Sequence, residues 1–137
     1  MSKDLSLPLR RAVVDFLKTT PVNGLVSGRI YGTQPPALPT LPFIRMGLPT
    51  PAAYEAQGWS GSEQAFVVHV FTKSDGDSLV SEIAAAVVSE LSAFVMPGSL
   101  AANAFDWSRT EVVRDSDEAS AYHAIITFDA TVVAVAA

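Results

Sequence analysis

The spacing of apolar residues switches between helical and strand periods along this chain. Leu9, Val13, Phe16 and Leu17 recur at helical spacing while Arg10, Arg11, Asp15 and Lys18 fall on the other side, which predicts an amphipathic helix. Ser6 is its predicted cap, and Leu7-Pro8 open the first turn, where the missing N–H of proline is not needed. Thr20-Pro21 ends it. Val22 to Val26 is a short apolar link punctuated by Gly24 and Gly28, and Arg29 to Tyr31 reads as a brief strand.

Six prolines lie between Pro35 and Pro51. Proline cannot donate a ladder hydrogen bond, so any strand here is short and sits at an edge or between bulges. Phe43-Ile44-Arg45-Met46 is the candidate. Residues 48–62 follow as a long loop holding Tyr54, Gln57, Gly58 and Trp59; loops of that length inside a compact domain are usually functional or mobile.

Gln64 to Thr72 alternates, with Phe66, Val68 and Val70 on one face and Ala65, Val67, His69 and Phe71 on the other. Apolar residues on both faces predict a central strand covered on both sides, by helix or by a neighbouring subunit. Ser74-Asp75-Gly76-Asp77 turns the chain and caps a second helix, whose face is Leu79, Val80, Ile83, Ala84, Val87 and Leu91; Pro97-Gly98 marks its end. Phe105 to Arg114 and Tyr122 to Thr131 read as two further strands. The acidic tip Asp115-Ser116-Asp117-Glu118 lies between them, and residues 131–137 form an apolar C-terminal tail. Such a tail is a liability on a monomer and predicts packing on a partner. The whole is an α+β chain in one domain over residues 1–137.

Composition narrows the classes. The length fits one domain with a core that needs no disulfide or metal. Apolar residues are 49% and charged residues 17%, below the usual quarter for charge, which agrees with a surface partly covered by other subunits. A net charge of −5 and a pI near 4.8 argue against a dedicated nucleic-acid binder. Cysteine is absent, so there is no disulfide, zinc-thiolate site or cysteine nucleophile. The N-terminus lacks the apolar core of a signal peptide, and no run approaches the roughly 20 apolar residues of a membrane span; the chain reads as soluble.

Chemistry is sparse. His69 and His123 are the two histidines. A metal or catalytic site would bring them beside Glu63, Asp75 or Asp129, but no ligand spacing is present, and they read as ordinary strand residues. Ser60-Gly61-Ser62 has no nucleophile elbow around it. Asp75-Gly76-Asp77 lacks the alternating ligands and terminal Glu of a calcium loop. No catalytic, cofactor-binding or metal residue is assigned. Trp59 is open between an aromatic anchor for a partner, with Tyr54 beside it, and a tryptophan folded over its own core. Asp115, Asp117 and Glu118 are open between a solvated turn and the rim of a channel along which DNA slides without sticking.

The order of these pieces resembles a known family. Arg29-Ile30-Tyr31 precedes the prolines, Pro42-Phe43-Ile44 opens a strand, His69 sits in the next strand, Gly76 turns into a long helix, and Tyr122-His123 open the last strand. This order is similar to that of the tail-completion, or tail terminator, minor tail proteins of long-tailed bacteriophages and of the gene transfer agents derived from them. The resemblance spans nearly the whole chain and departs from the family pattern at the Ala-rich stretch before Phe105 and at the apolar C-terminus.

The resemblance implies an α+β fold with a mixed, mostly antiparallel β-sheet flanked by two main helices, in a structural protein without catalytic residues or cofactors. It implies a homohexameric ring that caps the tail tube, stops its polymerisation, meets a head-side connector or stopper protein, and leaves a bore for DNA. The protein would be made in the host cytoplasm and reside in the virion at the head–tail junction, away from any membrane. Leu48 to Gly61 and the C-terminal segment are the expected contact regions, since loops and chain ends reach neighbours without disturbing the core. Two other readings stay open: another head–tail connector component (stopper or adaptor), and a small ligand-binding or enzymatic α+β domain.

Overall fold

The computed structural model describes residues 3–115 and 120–135. In chain order the elements are α1 (Ser6–Lys18), α2 (Val22–Leu25), β1 (Ile30–Tyr31), β2 (Phe43–Met46), β3 (Ala52–Ala56), β4 (Trp59–Lys73), α3 (Ser78–Leu91), β5 (Ala101–Arg114) and β6 (Ala121–Val135). The six strands form one sheet in the order β1-β2-β4-β6-β5, with β3 also paired to β4. Among the described residues only the β1–β2 pair is parallel. This is the α+β, mostly antiparallel arrangement expected from the sequence.

Helix α1 begins at Ser6, but Ser6 does not cap it. The Ser6 amide and hydroxyl both donate to Asp4 Oδ1, at 2.9 and 2.6 Å, and these bonds hold the Asp4 carboxyl below its usual range. Thr19 and Thr20 close the other end by donating to the carbonyls of Phe16 and Leu17, each at 2.7 Å, satisfying acceptors the helix leaves open. The apolar link then curls into the single turn of α2. Gly76, at φ +76°, makes the turn into α3. Asp77 stands at the cap position of α3, yet its side chain makes no capping bond.

Both main helices cover one face of the sheet. Leu9, Val13 and Leu17 of α1 and Val80, Ile83, Val87 and Leu91 of α3 join Ile44, Met46, Phe66, Val68, Val70, Ala124, Ile126 and Phe128 in one buried cluster. The period-2 alternation in β4 and β6 therefore aims the expected residues at the helices. The opposite face carries Val67, His69, Phe71, His123, Ile125 and Thr127, all half-buried, and no helix among the described residues lies over it. The expected two-sided cover of the central strand is thus met on one side within the chain.

Two segments differ from the sequence reading. Residues 48–62, expected as a long loop, are largely a β-hairpin: Ala52–Ala56 pairs with Trp59–Glu63, and the chain reverses at Gly58, φ +78°. The polar and small residues there have weak strand propensity of their own; pairing along β4 overrides it. Residues 131–137, expected as an apolar tail that packs on a partner, continue β6 through Val135, which pairs with Trp59; residues 136–137 lie outside the described residues. Val132 and Val133 are both buried. The Ala-rich stretch before Phe105 is likewise strand, the first part of β5. No helix among the described residues is long and apolar enough to cross a membrane.

Candidate functional site

The long antiparallel ladder between β4 and β6 runs from Trp59↔Val135 to Lys73↔Ala121. It places His69 and His123, 54 positions apart, within reach on neighbouring strands. His69 Nδ1 lies 2.7 Å from His123 Nε2, so one ring donates its N–H to the lone pair of the other. Around them is an aromatic stack: Phe71 faces His123 at 4.1 Å between centroids and Phe43 at 4.7 Å. Arg45 lies over the Phe71 ring, its Cζ 5.3 Å from the centroid, a cation–π arrangement.

Both histidines are held below their usual pKa. His69 falls to about 4, first because burial penalises the charged ring and then because the charges of Arg45 and His123 oppose it. His123 is lowered by burial and by Arg45. The pair is neutral at pH 7. No group of three or more metal-ligating side chains occurs among the described residues, and the Arg45 charge disfavours a cation. The arrangement therefore supports stacking and hydrogen bonding on the open face rather than acid–base work. The sequence placed both histidines in strands; their pairing depends on register, which residue identity does not announce.

The contact candidates lie at the other end of β4. Trp59 is 41% exposed and opens the strand beside Ala56. With Tyr54, Ala56, Ala101, Asn103 and Val133 it lines a hollow of about 140 Å³, and Asn103 Nδ2 donates to the Tyr54 hydroxyl at 3.4 Å. Trp59 is not part of the buried core, so the hairpin holds Tyr54 and Trp59 together at the surface. Gly61 makes this possible. A Cβ there would meet the Val132 carbonyl oxygen at 1.8 Å, so β4 and β6 approach closely only because the position has no side chain.

Asp115 is exposed at the exit of β5, where its amide donates to the Ala121 carbonyl at 2.9 Å. Asp117 and Glu118 lie outside the described residues. The structure therefore places one of the three acidic candidates, at the mouth of the β5–β6 hairpin and far along the sheet from Trp59.

Trp107 drew no attention in the sequence. It is 53% exposed on β5, and its indole Nε1 donates to Thr110 Oγ1 at 3.0 Å. Trp107 is in phase with Phe105 on the helix side, and the register shift between Trp107 and Arg109 brings Thr110 and Val112 to that side with it, where they border α3 across a groove of about 350 Å³. A bulge of this kind re-aims a side chain and is not visible in an alternation pattern.

A family model described as tail completion protein gp17 matches residues 11–133. A chain from a solved structure described as the virion of a native gene transfer agent particle is similar at 22% identity over 91% of this chain and 94% of that one, with a TM-score of 0.74. The gp17 protein of bacteriophage SPP1 is similar at 20% identity over 92% of this chain and 89% of that one, with a TM-score of 0.61. At these identities the two structures show a shared fold. No curated protein sequence matches the chain. With residues 11–133 inside the family model, this chain belongs to the tail completion protein gp17 family and is a structural component of a phage-type tail.

Proposed function

We propose that this protein is a tail terminator: six copies close into a ring that caps the tail tube, ends its polymerisation and joins it to the head-side connector. The observation that carries this reading is the family match over nearly the whole chain. The fold shared with a chain of a gene transfer agent particle supports residence in a virion or virus-like particle. The role is mechanical, without catalytic residue or cofactor.

Three features of the molecule fit the task. The half-buried Val67, Phe71 and Ile125 on the open sheet face offer apolar area that a neighbour or the tube can cover. The surface hairpin carrying Tyr54 and Trp59 offers an aromatic anchor for the tube or the next subunit. The net charge of −5 suits a bore that repels the DNA backbone, so that the polyanion passes without lodging; Asp115, Asp117 and Glu118 would belong to its rim.

Electron microscopy of particles from a strain lacking this gene tests the reading. Overlong tails detached from filled heads are the expected result. Tails of normal length still joined to heads would reject it, and binding of the protein to the portal complex instead of to tube ends would assign it to the head-side connector.

A further inference from the structure

The two margins of the sheet are built differently, and they complement each other. At one margin, β1 and β2 are parallel neighbours, so their connector must travel back along β1. It leaves on the α1 side, where Gly32, Thr33 and Gln34 share a cleft with Arg10 and Arg11. It returns on the open face, where Leu41 lies near Phe71 and His123. Its return is clamped by Arg29, whose Nε and Nη2 donate to the carbonyls of Pro42 and Leu41 at 2.9 and 3.1 Å. Between these points Pro35, Pro36, Ala37, Leu38 and Pro39 pass round the β1 margin. Leu38 is 97% exposed and stands at φ +52°, a left-handed conformation that branched apolar residues rarely adopt. No described residue covers that side chain.

At the opposite margin, Ala84, Ala85 and Val88 of α3 face Trp107 and Val112 of β5 across the 350 Å³ groove. Val112 is 39% exposed and Trp107 53%, so the walls are apolar and open. Grooves walled by an aromatic ring are the usual receptors for proline-rich segments, and prolines pre-set φ so that little freedom is lost on docking.

Charge divides the same way. Residues 1–46, which build α1 and the β1–β2 margin, hold six Lys or Arg and two Asp, a net +4; residues 47–137 hold three basic and twelve acidic residues, a net −9. On the groove margin, α3 and β5 together carry Glu82, Glu90, Asp106 and Glu111 against Arg109 and Arg114, a net −2. A head-to-tail contact between the two margins therefore joins opposite charges, and a contact between unlike surfaces closes into a ring when its rotation allows.

We propose that the connector Pro35–Pro39 of one subunit, led by Leu38, docks in the α3–β5 groove of the next subunit against Trp107, and that this is the repeating contact of the ring. The proposal rests on the ring reading given above and specifies its interface.

Absence of cysteine makes cross-linking clean. Leu38→Cys and Ala85→Cys chains are mixed, alone at high concentration and with purified tail tubes, and treated with a short bis-maleimide. Native mass spectrometry follows assembly in parallel. Mixing is expected to give a covalent dimer that neither variant gives alone, and the doubly substituted chain a ladder ending at the ring's copy number. Rings without a Leu38–Ala85 link, or Leu38→Cys linking to itself, would overturn this contact and leave the terminator reading standing. No association under either condition, with normal tails in the deletion strain, would overturn both. Leu38→Asp is expected to weaken assembly at least tenfold with an unchanged melting temperature, because the residue packs on nothing in its own chain. Assembly of Leu38→Asp at the wild-type concentration would also overturn the contact.

Discussion

At the scale of single residues, two positions carry more than their chemistry suggests. Gly61 has no room for a Cβ against the backbone of Val132, so Gly61→Ala must push β4 from β6 where the Trp59 hairpin is held. We expect a loss of about 2–4 kcal/mol in urea unfolding, at the high end for one added carbon. The His69–His123 pair makes stability depend on pH with a definite sign. The folded state holds both rings below the usual 6.5, so between about pH 6.5 and 4 the unfolded chain binds more protons. Stability is therefore complete above pH 6.5 and declines as pH falls toward 4. Discounted for half exposure, the decline is on the order of 1 kcal/mol. His123→Gln is expected to flatten the melting temperature's pH slope in that window; an unchanged slope would remove the pair as its source. Trp59→Ala is expected to weaken binding to tubes while moving the melting temperature little. The opposite pattern would make Trp59 a packing residue.

At the scale of elements, stability is concentrated in α3 and the β4–β6 ladder. Val80, Ile83 and Val87 are fully buried between α3 and the sheet, and Ile83→Ala is expected to cost about 2–5 kcal/mol. Strands β2 and β3 occupy the same side of β4 in succession, opposite residues 68–71 and 59–63. Pro49 and Pro51 lie in the connection between them, which breaks the ladder there. β3 is exposed on both faces except at Tyr54. Hydrogen exchange should therefore be slowest in β4 and β6 around Val68, Val70, Ala124 and Ile126 and much faster in β3. Comparable protection in β3 would show that something beyond this ladder holds the hairpin.

Over the whole molecule, the separation of net charge between residues 1–46 and 47–137 makes association between copies sensitive to salt. Raising ionic strength from about 0.05 to 0.5 M, which shortens the Debye length severalfold, is expected to weaken ring assembly measurably by light scattering. Assembly strengthened by salt would instead indicate an apolar contact in which charge has no part.

Much of this was legible without coordinates, for a physical reason. Helix and strand periods are local properties, so Leu9, Val13, Phe66, Val68, Val70 and Ile83 could be assigned to the core from spacing alone, and the order of elements was enough to resemble the family. The hairpin of Tyr54 and Trp59 was not legible, because small and polar residues become strand there only through pairing with β4. The same holds for the His69–His123 contact, the groove beside Trp107 and the space claimed at Gly61. Each depends on register, on a bulge or on the approach of two backbones. Those are relations between distant segments, and tertiary structure alone decides them.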